Sequence, residues 1–202
     1  MNDSLRRLVF VRHGVTAPQE QGRYCGHLDP PLSERGREQV VRSQQAVLDL
    51  HPSQVWCSDL QRCRETAALI FPFIPHRALA EFREIAFGDF ENRQYSEIAS
   101  EVNRILLDPE CCFPAGESLR QLGCRVAGGI KKIMDEPGET AAVIGHAGSI
   151  AAAALWLLDR PLRSFWSFQL PHAGRAIFER SAGRWTDVTA DWIGRPEDDW
   201  PT

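Results

Sequence analysis

The chain has 202 residues, of which 43% are hydrophobic and 25% are charged. These proportions are typical of a soluble globular protein and exclude a collagen-like, coiled-coil or largely disordered chain. The formal net charge of -4, without a basic arm, argues against nucleic acid as a partner. No Gly/Ser-rich linker divides the sequence, which predicts one domain over residues 1–202.

The amino-terminal segment MNDSLRRLVFVRHG has an acidic residue and an apolar run of only four residues. We therefore expect neither a signal peptide nor a membrane anchor there, and no membrane partner. The longest apolar stretch, residues 147–158, is too short to cross a bilayer and predicts a buried helix. Six cysteines without a C-x-x-C pair predict reduced thiols, no zinc site and a cytoplasmic location. The sequence leaves monomer and homodimer open.

Apolar runs and helical periodicities alternate along the chain. Continuous apolar runs predict strands at residues 8–11, 54–57 and 140–144, and shorter segments predict strands at 77–79, 164–169, 176–179 and 185–188. Helical spacing predicts helices at about 34–50, 60–70, 95–107, 119–133 and 147–158, and the aperiodic segment 82–92 predicts a loop. Strands that alternate with helices are typical of a layered α/β fold with a mostly parallel sheet.

Two sets of residues are predicted to be buried. In the helix at 34–50, which Ser33 is predicted to cap, one face is predicted to contain Val40, Val41, Val47 and Leu48. Three tryptophans are also predicted to lie in the core: Trp56, Trp156 and Trp166.

A histidine next to glycine follows two of the predicted strands. His13 and Gly14 follow the first strand, and His146 follows the strand at 140–144. Ligands of such sheets bind beyond the carboxyl ends of the strands, so the two imidazoles are candidates for one site. A metal site would need further ligands, and the charge of Arg12 would repel a metal ion. Arginine instead suits a phosphate, which it binds through two parallel hydrogen bonds.

The tripeptide Arg12-His13-Gly14 has the composition needed for phosphoryl transfer. A neighbouring guanidinium lowers the pKa of an imidazole, and a neutral imidazole can attack phosphorus. Glycine would let the backbone approach the phosphoryl oxygens closely. The segment therefore predicts a phosphohistidine intermediate on His13.

Five segments give this tripeptide a wider context. LVFVRHG, SDLQRCRETA, FREIAFGDFEN, GES and VIGHAG occur in this order. Together they resemble the histidine phosphatase superfamily of phosphoglycerate mutase-like proteins, and residues 12–33 align with that pattern without a gap. The resemblance implies a three-layer α/β/α fold with a mostly parallel central sheet, as in phosphoglycerate mutase.

The resemblance also implies a role for each matching residue. His13 is the nucleophile, Arg12, Arg62 and His146 hold the phosphoryl oxygens, and Glu84 is the proton donor. The residues implied to bind substrate are Arg12, Gly14, Gln19, Cys25, Gly26, Arg62, His146 and Ala147. A carboxyl group beside a phosphate anion can carry a proton at neutral pH, which suits a general acid. No cofactor and no metal are expected.

Several further residues are predicted to lie around the phosphate site or to support it. Gln19 stands where many members of the superfamily have an asparagine that contacts phosphate. Glu117, in the Gly-Glu-Ser turn, resembles a supporting acid. Tyr24 and His27 are candidates for the mouth of the pocket, and the remaining histidines are predicted to be structural: His51, His76 and His172. The Pro-His-Ala-Gly turn that contains His172 could also approach the site.

Three functions are compatible with these residues. The first is a phosphomonoesterase that acts on a small metabolite, and the second is a phosphoglycerate mutase or a fructose-2,6-bisphosphatase-like enzyme. The third is a non-catalytic phosphate-binding protein, which the retained site residues disfavour. Residues 92–115 contain only two basic residues, Arg93 and Arg104, which favours water as the phosphoryl acceptor. The segment GRYCGHLDPPLSERGREQ is similar to α-ribazole 5′-phosphate phosphatases of cobalamin synthesis.

Overall fold

A computed structural model describes residues 4–189 and 191–193. Within them, six strands form one sheet in the order β3-β2-β4-β1-β5-β6. The strands are β1 (Arg7–Arg12), β2 (Gln54–Cys57), β3 (His76–Ala78), β4 (Thr140–Gly145), β5 (Arg175–Ser181) and β6 (Arg184–Asp187). The first four strands run parallel, whereas β5 is antiparallel to β1 and β6 is antiparallel to β5.

Helices connect the parallel strands. They are α1 (Ala17–Glu20), α2 (Glu34–Leu48), α3 (Gln61–Ile70), α4 (Tyr95–Leu107), α5 (Leu119–Asp135) and α6 (Ala147–Leu157). Ser33 caps α2 as predicted, because its hydroxyl accepts a hydrogen bond from the amide of Gly36 at 3.0 Å. In the described part of the chain, no helix is both long and apolar enough to cross a membrane.

The two faces of the sheet bury two separate hydrophobic clusters. In β1, Leu8 and Phe10 belong to the cluster that contains residues of α4, α5 and α6. Val9 and Val11 belong to the other cluster, together with residues of α2 and α3. The alternation follows from the period of two along a strand, and it places helices on both faces. The predicted α/β layering is therefore confirmed, with a mixed sheet whose antiparallel strands lie at one edge.

The strand predicted at 164–169 is wrong. This segment contains a short 3-10 helix, Leu162–Ser167, in which the amide of Ser164 donates to the carbonyl of Pro161 at 2.9 Å. Its aromatic residues favour a strand locally, but Phe165 is buried in the cluster that contains α6. Tertiary packing has overridden the local preference for a strand.

Two residues predicted to be buried are exposed. Val41 is 56% exposed, whereas Val40 is fully buried. Adjacent residues of a helix point about 100° apart, so both cannot face the sheet. Trp156 is 37% exposed on the outer side of α6, although Trp56 is buried in the core.

Smaller differences concern the ends of elements. The third strand, His76–Ala78, begins one residue before the predicted segment, and the last, Arg184–Asp187, also begins one residue earlier. The segment 82–92 is a loop that follows the 3-10 turn Ala80–Phe82 and contains the 3-10 turn Gly88–Phe90. The short helix α1 is absent from the elements that the sequence predicts. Beyond β6, the indole nitrogen of Trp192 donates to Asp187, and most of the acidic carboxyl-terminal tail lies outside the described residues.

Two glycines fix the end of β1 against the start of α2. A Cβ atom on Gly14 would lie 2.3 Å from the carbonyl oxygen of Gly36. A Cβ atom on Gly36 would lie 2.1 Å from the carbonyl oxygen of Val15. The two backbones therefore touch directly, and this contact fixes the position of the residues that follow β1.

We expect Gly36→Ala to lower the free energy of unfolding by about 1–3 kcal/mol, because the added methyl group forces α2 away from β1. The matched control is Gly128→Ala in α5, where an added Cβ meets no atom within 4 Å. That change should raise stability by about 0.5–1 kcal/mol, as expected for Gly→Ala in a helix. Urea denaturation of both variants measures the effects, and equal effects would contradict the proposed contact.

Candidate active site

The first candidate residues lie where β1 and β4 end side by side. The two strands are parallel, and Arg12 is in register with Gly145. The next residues, His13 and His146, therefore come together, with ring centroids 4.9 Å apart. The amide of His13 also donates to the carbonyl of Gly145 at 3.0 Å.

The hydrogen bonds of His13 define which ring nitrogen is free. Its Nδ1 lies 2.6 Å from the carbonyl oxygen of Gly14, which can only accept, so Nδ1 carries the proton. The Nε2 atom then has the lone pair. Burial, followed by the charge of Arg62, lowers the pKa of His13 well below its ordinary value of 6.5. The imidazole is therefore neutral and has the tautomer that a nucleophilic Nε2 would need.

Arg62 lies between the two imidazoles. It is fully buried in the first turn of α3, and its Nε lies 3.3 Å from Nε2 of His13 and 3.2 Å from Nδ1 of His146. Its terminal nitrogens donate to the carbonyls of Leu28 at 2.6 Å and Gly26 at 2.7 Å. A guanidinium only donates, so both facing imidazole nitrogens hold lone pairs.

His146 is neutral for the same physical reasons as His13. Burial, and after it the charge of Arg62, lowers the pKa of His146 well below its ordinary value. Its Nε2 lies 3.3 Å from the thiol of Cys63, which is also buried. Because Nδ1 faces a donor, Nε2 carries the proton and donates to this sulfur.

Arg12 is held by two groups that precede β5. Its Nη1 donates to the carbonyl of Leu170 at 2.6 Å, and its Nη2 lies 3.1 Å from Nε2 of His172. Since that nitrogen must accept, Nδ1 of His172 donates to the carbonyl of His13 at 3.2 Å. Arg12 Nε is buried and has no hydrogen-bond partner among the described residues. Two of the five N–H groups of the guanidinium are thus engaged, and that of Nε is among those left without a partner in the described structure.

His172 is a residue whose contact with the site the sequence does not reveal. Burial, and then the charge of Arg12, lowers the pKa of His172 to about 3. The only sequence signal is its place in a Pro-His-Ala-Gly turn directly before a strand. That signal becomes informative only when β5 is known to pair with β1.

The carboxylate of Glu84 is held by two backbone amides near these groups. One oxygen accepts from the amide of Ile85 at 2.9 Å, and the other accepts from the amide of Gly148 at 3.2 Å. The second contact links the loop that carries Glu84 to the first turn of α6. The imidazole of His27 contacts the Glu84 carbonyl at 3.0 Å.

The loop around Glu84 is held by an ion pair from a distant helix. Glu117 accepts from the amide of Ala86 at 2.9 Å and pairs with Arg125 of α5 at 2.7 Å. Arg125 also donates to the carbonyls of Glu81 at 2.9 Å and Glu84 at 3.1 Å. The sequence did not indicate Arg125, because nothing in its helical pattern distinguishes it from a surface residue.

A cavity of about 310 Å³ opens beside these groups. Of the predicted site residues, those that line it are Arg12, Gln19, Cys25, Gly26, Arg62, Glu84 and Ala147. The two imidazoles lie behind Arg62 and do not line it. Gly14 does not line it either, and the nearby carbonyl of Gly36 explains why this position is glycine.

Gln19 lines the cavity through a constrained side chain. Its Oε1 accepts from the amide of Thr16 at 3.1 Å and from the hydroxyl of Thr16 at 3.0 Å. The oxygen is therefore occupied, and the amide nitrogen is the part that can donate to a ligand.

Comparison with known proteins identifies the class of this site. A model of the histidine phosphatase superfamily (branch 1) matches residues 8–192, and the chain belongs to this superfamily. It is 29% identical over 172 residues to the adenosylcobalamin/alpha-ribazole phosphatase of Salmonella typhimurium, covering 81% of this chain and 85% of that protein. It is also 29% identical over 186 residues to phosphoserine phosphatase 1 of Hydrogenobacter thermophilus, covering 88% of each.

A solved structure agrees with this assignment. The crystal structure of the alpha-ribazole phosphatase from Shigella flexneri superposes with a TM-score of 0.81 at 26% identity. The match covers 93% of this chain and 98% of that one. The chain is thus an enzyme that hydrolyses phosphate monoesters, as its motifs predict.

The neutral His172 makes the stability of the protein depend on pH. Its pKa is about 3 in the folded state but near 6.5 when unfolded, so only the unfolded chain takes up this proton between those values. The stabilisation is complete above pH 6.5 and is lost as the pH falls toward 3. Within that pH window, a histidine of this kind lowers the free energy of unfolding by up to about 1.4 kcal/mol for each unit by which the pH falls.

We therefore expect His172→Asn to lose less stability on acidification than the wild type. From about pH 6.5 to about pH 5, its loss of unfolding free energy should be smaller by about 2 kcal/mol. Urea titrations at several pH values give both slopes. Identical slopes would show that His172 titrates alike in the folded and unfolded chains.

Proposed function

We propose that this enzyme hydrolyses its phosphate monoester without a metal ion, through a phosphohistidine on His13. The observation that carries the proposal is the tautomer of His13, whose Nδ1 donates to Gly14 and whose Nε2 keeps the lone pair. Two guanidinium groups, those of Arg12 and Arg62, line the cavity. The Nε atom of Arg12 has no hydrogen-bond partner among the residues described.

In the first step, Nε2 of His13 attacks phosphorus and the bond from phosphorus to the leaving oxygen breaks. The electron pair of that bond goes to the leaving oxygen, which takes a proton from the carboxyl group of Glu84. In the second step, the Glu84 carboxylate takes a proton from water, and the water oxygen attacks phosphorus. The bond to Nε2 then breaks, which returns neutral His13 and releases inorganic phosphate.

The charge of the transferred phosphoryl group is stabilised by the protein itself. Arg12 and Arg62 donate to its oxygens, and the amide of Ala147 at the start of α6 adds the positive end of a helix. For this, Arg62 Nε exchanges its contacts with the two imidazoles for a phosphoryl oxygen. His146, in the same cluster, orients Arg62 and donates to the phosphoryl group once its tautomer has changed.

Water is the acceptor that the cavity favours. A mutase or a bisphosphatase must bind a second anionic group, which calls for further cations. Among the described residues that line the cavity, only Arg12 and Arg62 are cationic. We propose α-ribazole 5′-phosphate as the substrate, supported by the named activity of the relative from Salmonella typhimurium. A cytoplasmic location is consistent with six free cysteines.

We expect His13→Ala to release no inorganic phosphate above the uncatalysed rate, because the first step of the proposed mechanism needs the lone pair on Nε2 of His13. Rapid acid-free quenching after incubation with a ³²P-labelled monoester should trap an acid-labile phosphoprotein only in the wild type. His51→Ala, which alters an exposed histidine, is the control. Wild-type turnover should persist in EDTA, and turnover by His13→Ala would reject the mechanism.

We expect Glu84→Gln to slow the hydrolysis of alkyl monoesters by about 100-fold or more, because the alkoxide needs a proton as it leaves. Hydrolysis of p-nitrophenyl phosphate should fall much less, since p-nitrophenolate leaves without a proton. The matched control is Glu81→Gln, whose carboxylate pairs with Lys132 outside the cavity. Comparable losses for both kinds of ester would exclude Glu84 as the donor.

A further inference from the structure

Beyond its cationic end, the cavity has a largely aromatic wall. Besides the buried Phe165, four aromatic side chains from four different segments line it: Tyr24, Phe87, Tyr95 and Trp166. The ring of Tyr24 packs against Tyr95 at 4.5 Å and against Phe87 at 4.9 Å between centroids. Three of these rings are therefore held in place by contacts with one another. We call these four residues the aromatic wall.

The rest of the cavity lining is apolar and partly small. Val102 and Leu106 project from α4, Ile85 follows the proton donor, and Ala151 lies on α6. An alanine on that helix leaves space that a larger residue would fill. A flat apolar group can therefore lie between α4, α6 and the aromatic wall, with its faces in contact with protein.

The charges of the lining argue against a negatively charged leaving group. In the part of the chain that the structure describes, the charged residues of the lining are Arg12, Arg62 and Glu84. Both arginines are committed to the phosphoryl end, and the third residue, Glu84, cannot supply a positive charge in either protonation state. A carboxylate on the leaving group would be desolvated beside Glu84 without a cation to compensate it.

The lining also offers uncharged hydrogen-bonding groups. Among the described residues, no partner is found for the hydroxyls of Tyr24 and Tyr95 or for the indole nitrogen of Trp166. Burial raises the pKa of Tyr95 to about 12, so its hydroxyl keeps its proton at neutral pH. These groups suit the hydroxyls or ring nitrogens of an uncharged ligand.

Building on the phosphomonoesterase proposed above, we propose that the leaving group of the substrate has no negative charge and carries a flat apolar ring. The ring lies against the aromatic wall, while the phosphoryl group lies between Arg12, Arg62 and His13. The volume of about 310 Å³ fits a small molecule of this kind.

Three synthetic esters test this inference without changing the reacting bond. They are 3-phenylpropyl phosphate, n-butyl phosphate and 4-(phosphonooxy)butanoate, which all release a primary alkoxide. We expect kcat/KM for the phenylpropyl ester to exceed that for the butyl ester by about tenfold or more, since burial of the ring favours its transition state. The butanoate should be the slowest of the three.

Two variants separate the aromatic wall from a general effect on folding. Trp166→Ala and Tyr95→Ala, which alter different elements, should each lower kcat/KM for the phenylpropyl ester by about tenfold, with little change for the butyl ester. Trp156→Ala is the matched control, because this tryptophan lies on α6 but does not line the cavity. This variant should leave kcat/KM for all three esters unchanged.

The outcomes distinguish this inference from the proposed function. If phosphate is released but the butanoate is hydrolysed as fast as the phenylpropyl ester, the aromatic leaving group is rejected and the phosphomonoesterase stands. If no ester is hydrolysed, the proposed function fails. Dissociation constants of the same three esters, measured by calorimetry, then still test the cavity, and tightest binding of the butanoate overturns the inference.

Discussion

The site depends on two buried positive charges that have no carboxylate partner. Within the described residues, Arg12 and Arg62 form no ion pair and are held by carbonyl oxygens and imidazole nitrogens. Burial of an uncompensated charge costs free energy, which dipoles of the backbone offset only in part. In the proposed reaction a phosphate dianion would supply the missing negative charge, so the arrangement that weakens the fold would strengthen the binding of substrate. It also keeps the neighbouring imidazoles neutral, which nucleophilic attack requires.

The order of the sheet explains how such a cluster can form. β1 lies between β4 and β5, so the residue after β4 and the turn before β5 flank the residue after β1. His146 and His172 therefore approach His13 from opposite sides, with ring centroids 4.9 Å and 5.4 Å away. The antiparallel direction of β5 is essential here, because a parallel strand would bring its carboxyl end, and not the preceding turn, to this edge.

The sequence predicts the parts of this structure that have a local cause. Apolar runs identify β1 and β4, and histidines at their ends identify the site, because both signals lie within a few residues. His172 and Arg125 could not be assigned in this way. Each acts through backbone carbonyls of a distant segment, which leave no trace in its own neighbourhood. The strand prediction for residues 164–169 is wrong for a related reason. Burial of Phe165 outweighs the local preference for a strand, and the segment contains the 3-10 helix Leu162–Ser167.

The phosphoryl site and the aromatic wall are carried by different elements. Arg12 ends β1, and His13 and His146 directly follow β1 and β4, where the register of the two strands fixes their positions. Tyr95 and Trp166 lie on α4 and on a short 3-10 helix outside the sheet, where a substitution leaves the strands unchanged. Specificity can therefore change without movement of the reacting groups. This separation agrees with the similarity of the chain, at 29% identity, to phosphatases named for two different substrates.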